Sequence, residues 1–155
     1  MEQLDKVDIA ILRILQEDAS LSAKEIGGRI HKAASTVQGR IQRLRETGII
    51  KKYTVIIDPD KVDLGFMTFT NVQLKDQSKK TLSNFEAAII KFPEVLECHH
   101  MTGGHDFVLR IVARDHKEYH DVLMEKLFDT LGVGHVETKL VMKTAKSETA
   151  LPIRF

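Results

Sequence analysis

The chain has 155 residues, 43% hydrophobic and 29% charged, with a net charge of +1. These values fit one medium or two small globular domains and exclude a disordered chain. No apolar run approaches the roughly 20 residues that span a bilayer, the acidic start MEQLDKVDIAIL is no signal peptide, and a single cysteine, Cys98, rules out an internal disulfide and points to a reducing cytoplasm.

In chain order, the first predicted helix starts near Asp5, which can cap free N–H groups, with Asp8 adding negative charge at the positive end of the helix dipole. Leu4, Val7, Ile11, Ile14 and Leu15 recur at helical spacing and form its buried stripe. Ser22 and Glu25 make a capping box for a short second helix, with Leu21 and Ile26 as a hydrophobic staple. His31-Lys32-Ala33 connects to a third helix, in which Val37, Ile41 and Leu44 face the core and which Gly48 ends in a left-handed conformation. Ile49 to Ile57 is rich in β-branched residues and predicts a small hairpin or wing. Asp58-Pro59-Asp60 is a turn, and the domain boundary follows: residues 1–60, a linker over 61–65, and a second domain over 66–155.

The second domain has the order β-α-β-β-α-β. Phe66–Leu74 predicts a strand and Ser78 opens a helix that Pro93 ends. Val95–Met101 and Phe107–Ala113 are strands around a turn at Gly103-Gly104. Asp115 with Glu118 opens a helix to about Leu131, and Val136–Lys143 is the last long strand. This is the split βαβ of a ferredoxin-like sandwich, giving an α+β protein. Helices cover one face of such a sheet, and a dimer is a common cover for the other. The apolar tail, Ala150 to Phe155, is expected to dock as an edge strand.

The positive charge is local. From Lys24 to Tyr53 there are eight Lys or Arg against two acids, net +6. A basic helix at a short turn predicts a helix-turn-helix whose second helix enters the major groove of DNA. With Val37, Ile41 and Leu44 inward, the pitch of the helix turns Ser35, Gly39, Gln42, Arg43 and Glu46 outward, flanked by Thr36, Gln38 and Arg40. Gln, Arg and Ser/Thr suit base edges. Lys32, Arg45, Lys51 and Lys52 suit phosphates. A solvated basic helix in a protein-binding domain would show the same pattern.

Two further features bear on chemistry. In Thr102-Gly103-Gly104-His105-Asp106, the glycines let backbone N–H groups face a carboxylate and Asp106 would hold an ammonium group, which together would receive an amino acid. A plain β-turn has the same pattern. Seven histidines include His116 and His120 on one helix face and His99-His100 on a strand, where neighbours point to opposite faces. They read as surface histidines, Cys98 as a small core residue, and no metal, cofactor or catalytic signature is expected.

These residues carry a family likeness. Leu4-Asp5 with Asp8, Ile11-Leu12 with Leu15, Ser22 with Glu25-Ile26, Val37 with Arg40-Ile41 and Leu44, and Gly48-Ile49-Ile50 with Tyr53 mark the first half. Pro93-Glu94-Val95 with Cys98, Gly103 with Asp106, and Gly132-Val133 with Thr138 mark the second. In this order and spacing the chain resembles the leucine-responsive and asparagine-responsive (Lrp/AsnC) transcription regulators. The resemblance implies a winged helix-turn-helix joined to a ferredoxin-like domain for effector binding and assembly, and a cytoplasmic homodimer that can extend to an octamer. The DNA contacts expected from the helix face and its flanking charge are Lys32, Ser35, Thr36, Gln38, Gly39, Arg40, Gln42, Arg43, Lys51 and Lys52. The resemblance also implies an amino-acid-like effector near Met101, Thr102, Gly103, Gly104, Asp106, His135, Glu137 and Thr138. Ala33 stands where a capping serine is common, Gly27-Gly28 where a small helix-former is, and His105 at a frequently aromatic position. The alternatives are a siroheme-decarboxylase-like enzyme on the same architecture and a metabolite-sensing module that does not bind DNA.

Overall fold

The computed structural model describes residues 4–121, 126–128 and 132–154. Helices α1 (Lys6–Glu17), α2 (Ala23–Ile30) and α3 (Ala34–Glu46) come first, then a 3-10 turn (Pro59–Val62). Next come β1 (Phe66–Leu74), α4 (Lys79–Ile89), β2 (Val95–His100), β3 (Phe107–Ala113), α5 (His116–Asp121) and β4 (Val133–Leu140).

The first helix begins at a reciprocal cap. The Asp5 carboxylate accepts from the Val7 and Asp8 N–H groups, and Asp8 accepts from the Asp5 N–H. At α2, Ser22 Oγ accepts from Glu25 N–H while the Glu25 carboxylate accepts from Ser22 N–H at 2.8 Å. These bonds satisfy donors that a helix leaves free at its start. Ile11, Leu12, Ile26, Val37 and Leu44 form the shared core of the three helices. Gly48, at φ 74°, ends α3 as predicted.

Gly27 is buried in α2 because α2 and the turn to α3 pass very close together. A Cβ on Gly27 would lie 2.4 Å from the Lys32 carbonyl oxygen, whereas one on Gly28 would meet nothing. The glycine pair that looks destabilising in sequence therefore has one indispensable member, since the helix-turn-helix angle needs that close approach.

The predicted wing does not form. Residues 51–58 pair into no strand, and Val55 and Ile56 are 79% and 78% exposed. A strand needs a neighbouring edge for its N–H and C=O groups, and no described residue supplies one. The tail also departs from expectation. It joins no sheet and packs on α1, with Ile153 against the three-helix core. The Gln16 amide accepts from Leu151 N–H at 2.7 Å and donates to Leu151 O at 3.2 Å, and Arg13 donates to Ile153 O at 2.9 Å. Phe155 lies outside the described residues. The chain thus divides into one unit running to Ile56 and resuming at Lys146, and another of Ile57–Ala145.

The second unit is a four-stranded antiparallel sheet in the order β2-β3-β1-β4. Val72 and Leu74 of β1, Phe107, Leu109, Ile111 and Ala113 of β3, and Phe85 and Ile89 of α4 build its core with Tyr119 of α5 and Leu127. The other face carries Met67, Phe69, Val108 and Val112, with Arg110 opposite Phe69 and paired to Glu97, and Phe69 is 41% exposed. The last strand begins earlier than predicted, at Val133, and ends at Leu140. The expected run of α5 to Leu131 falls partly outside the described residues.

Gly27→Ala should destabilise the chain by more than 1 kcal/mol, because the clash is with backbone. Gly28→Ala should stabilise it by about 0.5–1 kcal/mol through helix propensity. Urea unfolding of both variants checks the contrast, and equal effects would contradict it.

Candidate nucleic-acid interface

Helix α3 is positioned by charge as well as by its core residues. Asp8 is buried, its side chain 1% exposed, and it faces two arginines of α3. Arg40 Nη1 donates to Asp8 Oδ1 at 3.0 Å and also to Asp5 Oδ2. Arg43 Nη2 donates to Asp8 Oδ2 at 2.6 Å. Burying a carboxylate costs little only when it is paired and hydrogen-bonded, and Asp8 is both. The Arg40 guanidinium, with the Asp8 N–H, holds the Asp5 carboxyl down at about 2.

This network corrects the expectation for Arg43. The predicted outward face included it as a base reader, but its side chain is only 40% exposed and reaches back to α1. Arg40, expected at the flank, is tied down in the same way at 30% exposure. A long arginine side chain can leave the face its Cα occupies, and the nearest buried charge drew both in. The signal was present in the sequence: Asp5 and Asp8 are three apart on one helix, as are Arg40 and Arg43 on another, so each pair shares a helix face.

The other expected DNA contacts lie on the surface. Ser35, Thr36, Gln38, Gly39 and Gln42 are exposed along α3, as are Lys32 before it and Lys51 and Lys52 after it. Ala33 caps α3 without a side-chain bond, and no acid lies in its first turn. Gln38, Gln42, Glu46, Arg45 and Lys51 line an open groove of about 580 Å³. The Arg45 guanidinium lies 5.9 Å from the centre of the Tyr53 ring.

In the sheet unit the expected effector residues separate. Met101, Thr102, Gly103 and Gly104 are exposed in the turn before β3. Asp106 is not available as an ammonium-holding group facing solvent: it is buried, accepting from Leu74 N–H and from the Gln77 amide, each at 2.8 Å. Where β1 ends, its last N–H needs an acceptor, and Asp106 supplies it. Thr138 turns its hydroxyl to Tyr119 Oη at 2.5 Å, which in turn meets Thr70 Oγ1 at 2.8 Å. His105, His135, Glu137 and Lys139 remain together at the outer edge, with Lys139 3.4 Å from Glu137. His105 lies 3.9 Å from Glu137, and its ring stacks on His135 at 6.3 Å between centres. The Asn71 amide, then Lys139, hold the Glu137 carboxyl below its ordinary range. His105 was set apart in sequence only as an unusual residue, and its adjacency to Glu137 depends on the β1–β4 pairing.

Elsewhere, burial and then Glu86 push the half-buried Cys98 thiol up to about 11, which keeps it protonated and unreactive. Among the described residues no three His, Cys, Asp or Glu side chains form a metal-like group, and no helix is long and apolar enough to cross a membrane.

Comparison with known proteins agrees with this geometry. Residues 4–45 match the AsnC-type helix-turn-helix domain and residues 67–151 the Lrp/AsnC ligand binding domain. The chain is 38% identical to the Bacillus subtilis transcriptional regulator AzlB, over 97% of this chain and 96% of that protein. It is 32% identical to the proline dehydrogenase transcriptional activator of Rhizobium radiobacter, over 94% and 93%. A transcriptional regulator of Neisseria meningitidis, solved in complex with L-Met, superposes with a TM-score of 0.92 at 32% identity, covering 97% of each chain.

Arg43→Ala would leave buried Asp8 with fewer guanidinium partners. The expected loss of stability is about 1–3 kcal/mol in urea unfolding, with DNA affinity falling by the same factor on operator and on random duplex. A loss confined to operator sequence would return Arg43 to base reading.

Proposed function

This chain belongs to the Lrp/AsnC family of transcriptional regulators, and on that premise we propose how its DNA-binding and ligand-binding domains divide the work. The α3 surface from Ser35 to Gln42 enters the major groove and reads base edges. Lys32, Lys51 and Lys52 contact phosphates at its two ends, and Arg40 and Arg43 brace the helix. The observation that carries this reading is the exposed polar face of α3, held in a fixed rotation by Asp5 and Asp8 and flanked by lysines.

The effector is an amino acid, received at the edge of the sheet where the Met101–Gly104 turn approaches His105, His135 and Glu137. Support comes from the ligand-binding match and from the L-Met carried by the Neisseria relative. The ionised Glu137 suits an ammonium group, and the N–H groups of the turn suit a carboxylate. Effector and DNA act on a homodimer, closed by the sheet face that bears Met67, Phe69, Val108 and Val112, with the octamer as its further assembly. The working compartment is the cytoplasm, and the chain regulates transcription without catalysing a reaction.

Binding to the region upstream of its own gene, followed by fluorescence anisotropy, should weaken steeply with salt as phosphate contacts release counterions. A thermal-shift series with the twenty amino acids should raise the melting temperature for one or a few. No binding at low salt would overturn the DNA reading, and no shift with any amino acid the effector reading. Phe69→Arg should lower the mass in sedimentation from dimer to monomer, because it removes the central ring and sets an unpaired arginine beside Arg110, whose charge Glu97 already takes up. An unchanged mass would put the interface elsewhere.

A further inference from the structure

Gln38, Gln42 and Glu46 are spaced four apart on α3 and line one groove with Arg45 and Lys51. Within that row Gln42 Nε2 donates to Glu46 Oε1 at 2.8 Å. An ionised carboxylate accepts hydrogen bonds and cannot donate them, so Glu46 decides which end of the Gln42 amide it meets. Flipping the amide would set its oxygen against a carboxylate oxygen. One N–H is thereby occupied, while Oε1 and the second N–H remain. That acceptor–donor pair matches the N6 amino group and N7 of adenine in the major groove.

We propose that Glu46 is a positioning residue for DNA recognition, locking Gln42 in the orientation that reads adenine. The inference rests on α3 being the helix that reads DNA. Glu46 is one of two acids between Lys24 and Tyr53, in the most basic stretch of the chain. It ends α3, where the helix dipole disfavours a negative charge, and its carboxylate would repel nearby phosphates. It makes no ion pair with a described residue at that position. Its placement works against helix stability and against general DNA affinity, and the contact it makes is with the Gln42 amide. With Arg40 and Arg43 turned toward α1, Gln38 and Gln42 are the long neutral side chains of α3 that face the groove.

The test uses the full-length protein. Sites are selected from a randomised duplex pool, and dissociation constants are then measured for the selected site and for copies with each base pair changed in turn. The wild type should prefer A·T at one position of each half-site by about ten-fold. Glu46→Gln can donate as well as accept, so it frees the amide to flip. Most of the preference should vanish at that position alone, with affinity for random duplex unchanged or higher. Gln42→Ala should lose preference at the same position, and adding Glu46→Gln to it should change nothing further. Glu46→Gln that keeps the full preference, or that weakens every sequence equally, overturns the positioning role. A wild type that selects no sequence overturns the DNA-reading function of α3 itself, and the positioning role with it.

Discussion

Two carboxylates at the start of α1 meet two guanidiniums on α3, and the geometry of the DNA-binding unit depends on that meeting. Val37 and Leu44 bury α3 against its neighbours, but apolar contacts are non-directional and tolerate rotation of a helix about its axis. Hydrogen bonds from Arg40 and Arg43 to the buried Asp8 do not. A rotation by one residue, about 100°, would pull both arginines away and leave a carboxylate unpaired inside the domain. The residues that α3 shows to solvent are therefore set from behind, by α1. Asp5 and Asp8 also cap their own helix, so a single pair of side chains starts α1 and orients α3.

The sheet unit uses polar groups in the same way. Asp106 closes the end of β1, and the hydroxyls of Thr70, Tyr119 and Thr138 link β1, α5 and β4 beneath the sheet. Buried polar groups that find partners specify one arrangement, because any other leaves them unsatisfied. These residues are thereby withdrawn from the surface, and His105, His135, Glu137 and Lys139 gather at the outer edge. The chain also returns: residues from Lys146 onward rejoin the helical unit through Gln16, Arg13 and Ile153. The sheet unit is thus an insertion, covalently joined to the helices on both sides.

By itself the sequence determined what is local. Ser22 with Glu25 marked the start of α2, Asp5 that of α1 and Gly48 the end of α3, because a cap is decided by a side chain and backbone groups within one turn. Apolar periods of 3.6 and 2 distinguished helices from strands, and their order specified the ferredoxin-like sheet. The tertiary structure decided what depends on residues distant in sequence. It turned Arg40 and Arg43 inward, because Asp8 is over 30 positions away and a long side chain follows the nearest buried charge. It removed the wing, because β-branched residues make a strand only where another edge accepts them. It made Gly27 indispensable, since the clashing atom is the Lys32 carbonyl across the turn. It carried the tail to α1, since the reciprocal Gln16–Leu151 bonds join residues 135 positions apart. Composition and spacing record which groups are present, but only packing brings each of them to its partner.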